Sequence, residues 1–420
     1  MRNSSFMTSV AMIVLLQLNT SSPVRAGSAS AALSPPINAH LADQTVTDDP
    51  SASLTSKPSV STVKLPNGIV GRSYLAVLEA SAGRSPYKWS LQSGQLPLGL
   101  SLSSTTGEIT GTPTTAETAP FVIDVHDALG DVASRQLAIA TSDVAAAAPF
   151  GHVVVVVEEN ADYSSVVGNT AAMPYLNSLI SEYGLATQYY SNTHPSIGNY
   201  EMLTTGEVMT NNDDQTPASF PLAVDNIVRE LWANGRTWKA YAEGLPYAGY
   251  SGGNSGDYYV RHVPLAYLTD VQDSAVGHKG LVPFNEFSAD VAAGKLPNFS
   301  FVTPNACDDA HNCSLDVADS WLKKHIAPLL TSAPFKHDGL LIIVFDESAN
   351  DNRHGGGRVA AVLVSPAHSK RSYQSAVLFQ HQSTLRLILE SLGVDSLPGA
   401  AAKAANMWEF FSFPAPAVAH

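Results

Sequence analysis

Cysteine is almost absent from this chain: 420 residues contain only Cys307 and Cys313. Two thiols supply at most one bridge, and with no third cysteine a thiolate metal site is the weaker reading, so a short local disulfide is expected between them. Basic residues are scarce too. The 23 Lys and Arg face 37 Asp and Glu, a formal charge of −14, which repels nucleic acid and anionic lipid and argues against a polyanion-binding role. A membrane-spanning run is missing from the start, where the apolar stretch 10–16 is too short to cross a bilayer. With Arg2 before it and Val24-Arg25-Ala26 after it, 1–26 reads as a signal peptide, and the mature protein is expected to be exported, to the periplasm or the cell exterior. Aromatic residues are nearly absent from 27–61, a Ser, Thr, Ala and Pro stretch that cannot bury enough surface to order itself and is expected to be a linker.

What is present is a 45% hydrophobic content, enough for a sizeable core and more than one domain. Over 62–141 short alternating runs such as Tyr87-Lys88-Trp89-Ser90-Leu91 and Phe121-Val122-Ile123-Asp124-Val125 are separated by turns such as Pro66-Asn67-Gly68. That spacing predicts a small β-sandwich. Leu96-Pro97-Leu98-Gly99-Leu100-Ser101-Leu102 and Gly107-Glu108-Ile109-Thr110-Gly111-Thr112-Pro113 resemble the cadherin-like Ig domains appended to exported bacterial proteins. No chemistry is visible there; spacing or weak glycan or cell-surface contact is the expected role. An alanine-rich linker, 142–149, follows.

From 150 to 420 the texture changes. Val153-Val154-Val155-Val156-Val157 is a β-branched run of the kind buried on both faces of a parallel sheet, and strand-like and helix-like stretches alternate after it. The expected fold is an α/β sheet sandwiched by helices, with reacting groups at the carboxyl ends of strands. Three apolar runs end in oxygen donors: Glu159 and Asn160 after the valines, Asp346 and Glu347 after 340–345, and Ser196 in the bent segment Thr193-His194-Pro195-Ser196-Ile197-Gly198-Asn199-Tyr200. Ser196 stands between a strand-like and a helix-like run and is the candidate nucleophile. Glu159, Asn160, Ser196, Asp346 and Glu347 together form a hard, oxygen-rich candidate site for a divalent metal ion. Singly, each acidic pair reads equally well as a solvated turn or a helix start. The loop Cys307-Asp308-Asp309-Ala310-His311-Asn312-Cys313 could orient a ligand, hold a cation or donate a proton through Asp309 and His311. The segment Asp351-Asn352-Arg353-His354-Gly355-Gly356-Gly357-Arg358 offers cations to an anion. His262, His354 and His381 complete the candidates, each alone reading equally as a satisfied surface or core group.

Val156-Val157-Glu158-Glu159-Asn160, the Ser196 segment, Trp238-Lys239-Ala240-Tyr241-Ala242-Glu243, the Cys307 to Cys313 loop, Asp319-Ser320-Trp321-Leu322 and Phe345-Asp346-Glu347 occur in an order that resembles the bacterial phosphoesterase family of acid phosphatases and phospholipase C-type enzymes, within the alkaline phosphatase superfamily. The resemblance implies an alkaline phosphatase-like fold and a phosphoserine on Ser196. It implies metal ligation by Glu159, Asn160, Asp346 and Glu347, and a phosphate-contacting amide at Asn199. By the same likeness His262 is expected to bind substrate and Asp309 and His311 to serve catalysis, while His354 and His381, read from their own segments, are expected as further substrate ligands. Gly198 stands where Pro is usual, which should loosen the turn, and Arg261-His262-Val263-Pro264 replaces Lys-His-Asn-Pro. Enzymes of the phospholipase C branch of this family typically carry Thr in a Thr-Asp-Pro context at the nucleophile, so by this resemblance Ser196 favours phosphomonoesters. The competing readings are a phospholipase C-type phosphodiesterase and a non-catalytic surface- or glycan-binding protein.

Overall fold

The computed structural model describes residues 57–65, 67–71, 74–142 and 149–413, and Pro50–His420 form one compact unit. The expected signal peptide, most of the first linker and residues 143–148 of the second lie outside the described residues. None of the described helices is long and apolar enough to cross a membrane.

The N-terminal part is a sandwich of a four-stranded sheet, ordered Gly68–Ile69, Val132–Ser142, Thr118–His126, Lys88–Gly94, and a three-stranded sheet, ordered Tyr74–Val77, Glu108–Gly111, Leu100–Leu102. Alternation sets the faces: along Thr118–His126, Ala119, Phe121, Ile123 and Val125 point inward, onto Trp89, Ile109 and Ile139. The ordered chain begins earlier than the boundary expected at 62. Ser59–Val60 pairs antiparallel with Ala80–Ser81, and Val60 is buried in the sandwich core, a gain that orders this end of the expected linker.

The second part is built on one eight-stranded sheet. Its strands are β1 (His152–Glu158), β2 (Gly184–Tyr190), β3 (Trp238–Ala242), β4 (Leu281–Pro283), β5 (Phe299–Thr303), β6 (Gly339–Phe345), β7 (Ala361–Val364) and β8 (Tyr373–Gln380). Their order is β4-β3-β5-β1-β6-β7-β2-β8. Neighbours are parallel except at β7, which runs antiparallel to both β6 and β2. The five valines of β1 are wholly buried, as are β5 and β6 on either side. Burial of successive residues, not of alternate ones, means both faces are covered. Among the covering helices, α1 (Pro174–Glu182) packs with α3 (Leu315–Thr331), and α2 (Ile197–Thr205) packs with α4 (His381–Ser391). All nine residues of α2 are buried, so it is a core helix, and Gly206 ends it in the left-handed conformation.

The sandwich rests on this domain through polar anchors. Lys64 Nζ lies 2.7 Å from Glu409 Oε2 and donates to the Tyr373 hydroxyl at 2.5 Å, while Asn406 Nδ2 donates to the Asn67 carbonyl. The Glu409 side chain is wholly buried and Lys64 is 36% exposed. Removing the cation leaves a buried carboxylate without its counter-charge, so Lys64→Ala is expected to cost about 1–3 kcal/mol in urea unfolding. An unchanged midpoint would show that this contact does not hold the two parts together.

Candidate active site

Ser196 is buried at the N-cap of α2, at the end of the loop that leaves β2. Asn199, one turn into the helix, fixes that loop: its Oδ1 accepts from the Asn192 N–H at 3.0 Å and the Thr193 N–H at 3.2 Å, and its Nδ2 donates to the Thr193 carbonyl at 2.9 Å. Asn199 was expected to contact phosphate; its amide braces the nucleophile loop with its oxygen and one of its two N–H groups. Gly198 does not loosen the turn either. A Cβ there would lie 2.7 Å from Thr193 Cγ2 and 2.8 Å from Asn211 Oδ1, so close packing explains the glycine. A second loop presses on the first, backbone to backbone: Ser191 N–H donates to Gly357 O at 2.9 Å and Gly356 N–H to Ser191 O at 3.1 Å. A Cβ on Gly355, whose φ is +107°, would sit 1.9 Å from the Asn192 carbonyl oxygen.

The carboxyl ends of β1 and β6 bring the acidic pairs to this hydroxyl. Ser196 Oγ lies 3.2 Å from Glu159 Oε2 and 3.2 Å from Glu347 Oε1. Glu159 also receives the Tyr200 hydroxyl and, at 3.1 Å, the Asn160 side-chain amide. Asp346 Oδ1 accepts the backbone N–H groups of Asn160 at 3.1 Å and Glu347 at 2.6 Å. Asn160 takes a left-handed backbone, φ 45°, which short amide side chains tolerate. His194 Nδ1 stands 2.5 Å from Glu347 Oε2.

Desolvation dominates the electrostatics. Burial, with the charge of Asp346 next, pushes the Glu159 carboxyl well above its ordinary range. Burial likewise raises Asp346 to about 7, helped by Glu347, and Glu347 to about 7. Glu158 faces away from these partners. Both its carboxylate oxygens are buried without a hydrogen-bond partner, and burial pushes its pKa well above the ordinary carboxylate range.

On the other side of Glu159 lies the imidazole of His262, buried and stacked on Tyr200 with ring centroids 5.1 Å apart. Its Nε2 is 3.2 Å from Glu159 Oε1 and its Nδ1 3.2 Å from Asp309 Oδ2. Burial, then the nearby Arg261 cation, holds His262 well below its usual pKa, while burial raises Asp309 to about 8. Neither contact has hydrogen-bond geometry: His262 Nε2 and Asp309 Oδ2 are both buried without a hydrogen-bond partner among the described residues. Cys307 and Cys313 are disulfide-bonded, and the loop they close sets Asp309 and His311. Asp309 Oδ1 accepts the His311 N–H at 2.8 Å, and its carbonyl accepts the Glu159 N–H at 2.8 Å. His311 is half-buried; its Nε2 is 3.0 Å from Arg261 Nη2.

Two expected substrate ligands do not join the site. His381 is wholly buried, its Nε2 2.7 Å from the Asp346 carbonyl and its Nδ1 3.1 Å from the Tyr189 hydroxyl, and burial lowers its pKa to about 4. It positions Asp346 from behind. His354 lies exposed against the Tyr190 ring, centroids 4.3 Å apart, and lines a cavity of about 440 Å³ bordered by Lys64 and Glu79 of the sandwich. The cations of its loop are engaged: Arg353 pairs with Asp351 at 2.6 Å, and Arg358 stacks on Tyr163. His194, Tyr200, Asp213 and Arg261 were not expected as site residues. His194 and Tyr200 flank Ser196 in sequence, which is the signal that could have found them.

The donors fit a divalent cation. Asp346 Oδ2 is buried with no hydrogen-bond partner among the described residues, and Ser196 Oγ lies 3.2 Å from carboxylate oxygens of Glu159 and Glu347. Glu159, His262 and His311 also place one ligand atom each within 4.8 Å of one another. Oxygen and imidazole donors of this kind accept several divalent ions.

Residues 169–395 match the model of the Phosphoesterase family, and residues 69–142 match the one described as "Putative Ig domain". A probable acid phosphatase of Kluyveromyces lactis is 31% identical over 257 residues, 59% of each chain. A phosphatidylinositol-3-phosphatase of Mycobacterium tuberculosis is 34% identical over 205 residues, 49% of this chain and 66% of that one. A phosphate-repressible acid phosphatase of Penicillium chrysogenum is 30% identical over 299 residues, 69% of each. The chain therefore spans less than two thirds of the first two. The family match takes in the Ser196 turn, the disulfide loop and the Asp346-Glu347 pair, and it runs over more than half the sequence: this chain belongs to the phosphoesterase family, with an Ig-like domain ahead of that fold.

Proposed function

We propose that the protein is an exported, metal-assisted phosphoesterase of acid phosphatase type, which hydrolyses phosphomonoesters through a phosphoserine on Ser196. The observation that carries this reading is the Ser196 hydroxyl, buried at a helix N-terminus and 3.2 Å from each of two carboxylates. The names of the relatives, acid phosphatases among them, support it. Export is supported by the signal-peptide pattern of 1–26 and by the disulfide, which suits an oxidising compartment.

Ser196 Oγ attacks phosphorus while its proton passes to Glu347, whose pKa of about 7 suits a base near neutrality. The bond from phosphorus to the leaving oxygen breaks, and His311, the accessible imidazole, gives that oxygen a proton. Water then gives a proton back to the His311 imidazole as it attacks the phosphoserine, the bond from phosphorus to Oγ breaks, and Glu347 returns its proton to Oγ as phosphate leaves. A divalent ion held by Glu159, Asn160, Ser196, Asp346 and Glu347 supplies, when bound, neutralisation of phosphate oxygens and a lower serine hydroxyl pKa. His262 and Asp309 keep Glu159 oriented throughout.

Turnover of 4-nitrophenyl phosphate and bis(4-nitrophenyl) phosphate by the full chain, with and without chelator, tests the reading. Monoester hydrolysis should dominate, fall with chelation, and drop by roughly 10³-fold or more in Ser196→Ala. Preferred diester turnover would indicate a phospholipase C-type enzyme, and turnover of neither ester by folded, metal-supplied protein would indicate a binding protein.

A stability measurement checks the cation separately. Because Asp346, Glu347 and Asp309 have folded pKa values raised to about 7, 7 and 8, they bind protons more tightly folded than unfolded. Their stabilisation is complete below about pH 4 and is lost as pH rises through 7 to 8. Chelated protein should thus lose stability between pH 5 and 8, and a divalent cation should raise the melting temperature more at pH 8 than at pH 5. Equal or absent cation effects at both values would remove Asp346 and Glu347 from the metal site.

A further inference from the structure

Four buried carboxyl groups, Glu159, Asp309, Asp346 and Glu347, crowd the nucleophile, and a phosphate ester would bring more negative charge. Among the described residues, Arg261 is the cationic side chain in hydrogen-bond contact with this group, through His311. It is held with care. Its side chain is 12% exposed, its guanidinium carbon lies 4.3 Å from the centre of the Tyr259 ring, and Nε is 3.3 Å from Asp213 Oδ2. The other oxygen of Asp213 accepts the N–H of Ile197 at 3.1 Å. One carboxylate thus ties the guanidinium to the residue that follows Ser196.

A purely structural arginine would have its donors used. Here Nε is buried without a hydrogen-bond partner of good geometry, and Nη2 meets an imidazole nitrogen of His311 at 3.0 Å. A phosphate oxygen is a far stronger acceptor for that fork than an imidazole. We propose that Arg261 binds non-bridging oxygens of the phosphoryl group and sets a preference for monoester dianions over diester monoanions. The proposal rests on the phosphatase reading for its substrate, while the phosphate contact itself can be judged without turnover.

The experiment compares the full chain with its Arg261→Gln and Arg261→Lys variants. It reads kcat/KM on the two 4-nitrophenyl esters, inhibition by inorganic phosphate, and the rise in melting temperature that inorganic phosphate produces. Arg261→Gln should lose about 100-fold on the monoester and under about 10-fold on the diester, weaken phosphate inhibition to match, and recover partly when guanidinium ion is added. Arg261→Lys keeps the charge without the fork and should fall between, which keeps the test decisive if the Gln variant folds poorly. Equal losses on both esters with unchanged phosphate inhibition would overturn the proposal and leave Arg261 as a support for His311. Should the unmodified protein hydrolyse neither ester, the phosphatase reading fails, and the thermal shift decides for Arg261: a phosphate-induced rise lost in both variants supports the contact, and one retained in both overturns it.

Discussion

Carboxyl groups kept out of water beside one hydroxyl set the conditions for the rest of this structure. A buried carboxylate is costly unless its charge is met, and here several share a small volume. The fold meets that cost with donors placed from many directions: backbone N–H groups onto Asp346, the Tyr200 hydroxyl and Asn160 amide onto Glu159, and His194 onto Glu347. Where partners run out, as at Glu158, burial shifts the carboxyl toward its neutral form. A parallel sheet suits this task because strands distant in sequence end at one edge, so β1, β2 and β6 each hand over a reacting group there.

Much of the frame was readable from the chain itself. Five consecutive valines announce a doubly covered strand, and the oxygen donors that follow them, like those after β6, converge on Ser196 as an α/β sheet requires. Short alternating runs likewise give the sandwich and its inward faces. The histidines were less legible. His262, His354 and His381 look alike in one dimension, yet one lies between two carboxylates, one lies against Tyr190 and one braces the Asp346 carbonyl. Periodicity reports burial; it does not report which neighbour a ring nitrogen will meet across a loop. The loop contacts of Asn199 were not legible either: an amide one turn past a nucleophile can reach back to its own loop, and no motif shows that it does. Arg261 is far from Ser196 in sequence, and its link to the nucleophile turn runs through Asp213 and a backbone N–H that no motif encodes.

The Ig-like domain changes meaning once its contacts are visible. Composition alone made it a spacer with solvated charges, but Lys64 reaches a buried glutamate near the end of the other domain. The cavity beside this contact is bordered by the sandwich on one side and by Gln380 and Gln382 on the other. Gln382 in turn accepts from Asn192, at 2.8 Å, in the nucleophile loop. The sandwich therefore stands two side chains from the segment that carries Ser196, closer than a tether would.

The glycine loop pressed against that segment carries a different kind of consequence. Because Ser191 meets Gly356 and Gly357 through main-chain atoms, and a Cβ on Gly356 or Gly357 would fall 2.3 or 2.1 Å from a carbonyl oxygen, the contact is indifferent to most side chains but not to chain length. Substitutions around it can accumulate while the two loops keep their register. Insertion or deletion of a single residue between Ser191 and Ser196, or between Glu347 and Gly357, would shift one loop along the other and carry the hydroxyl away from its carboxylates. Variation in this part of the fold should therefore appear as exchanged residues within segments of fixed length, with gaps confined to the outer loops.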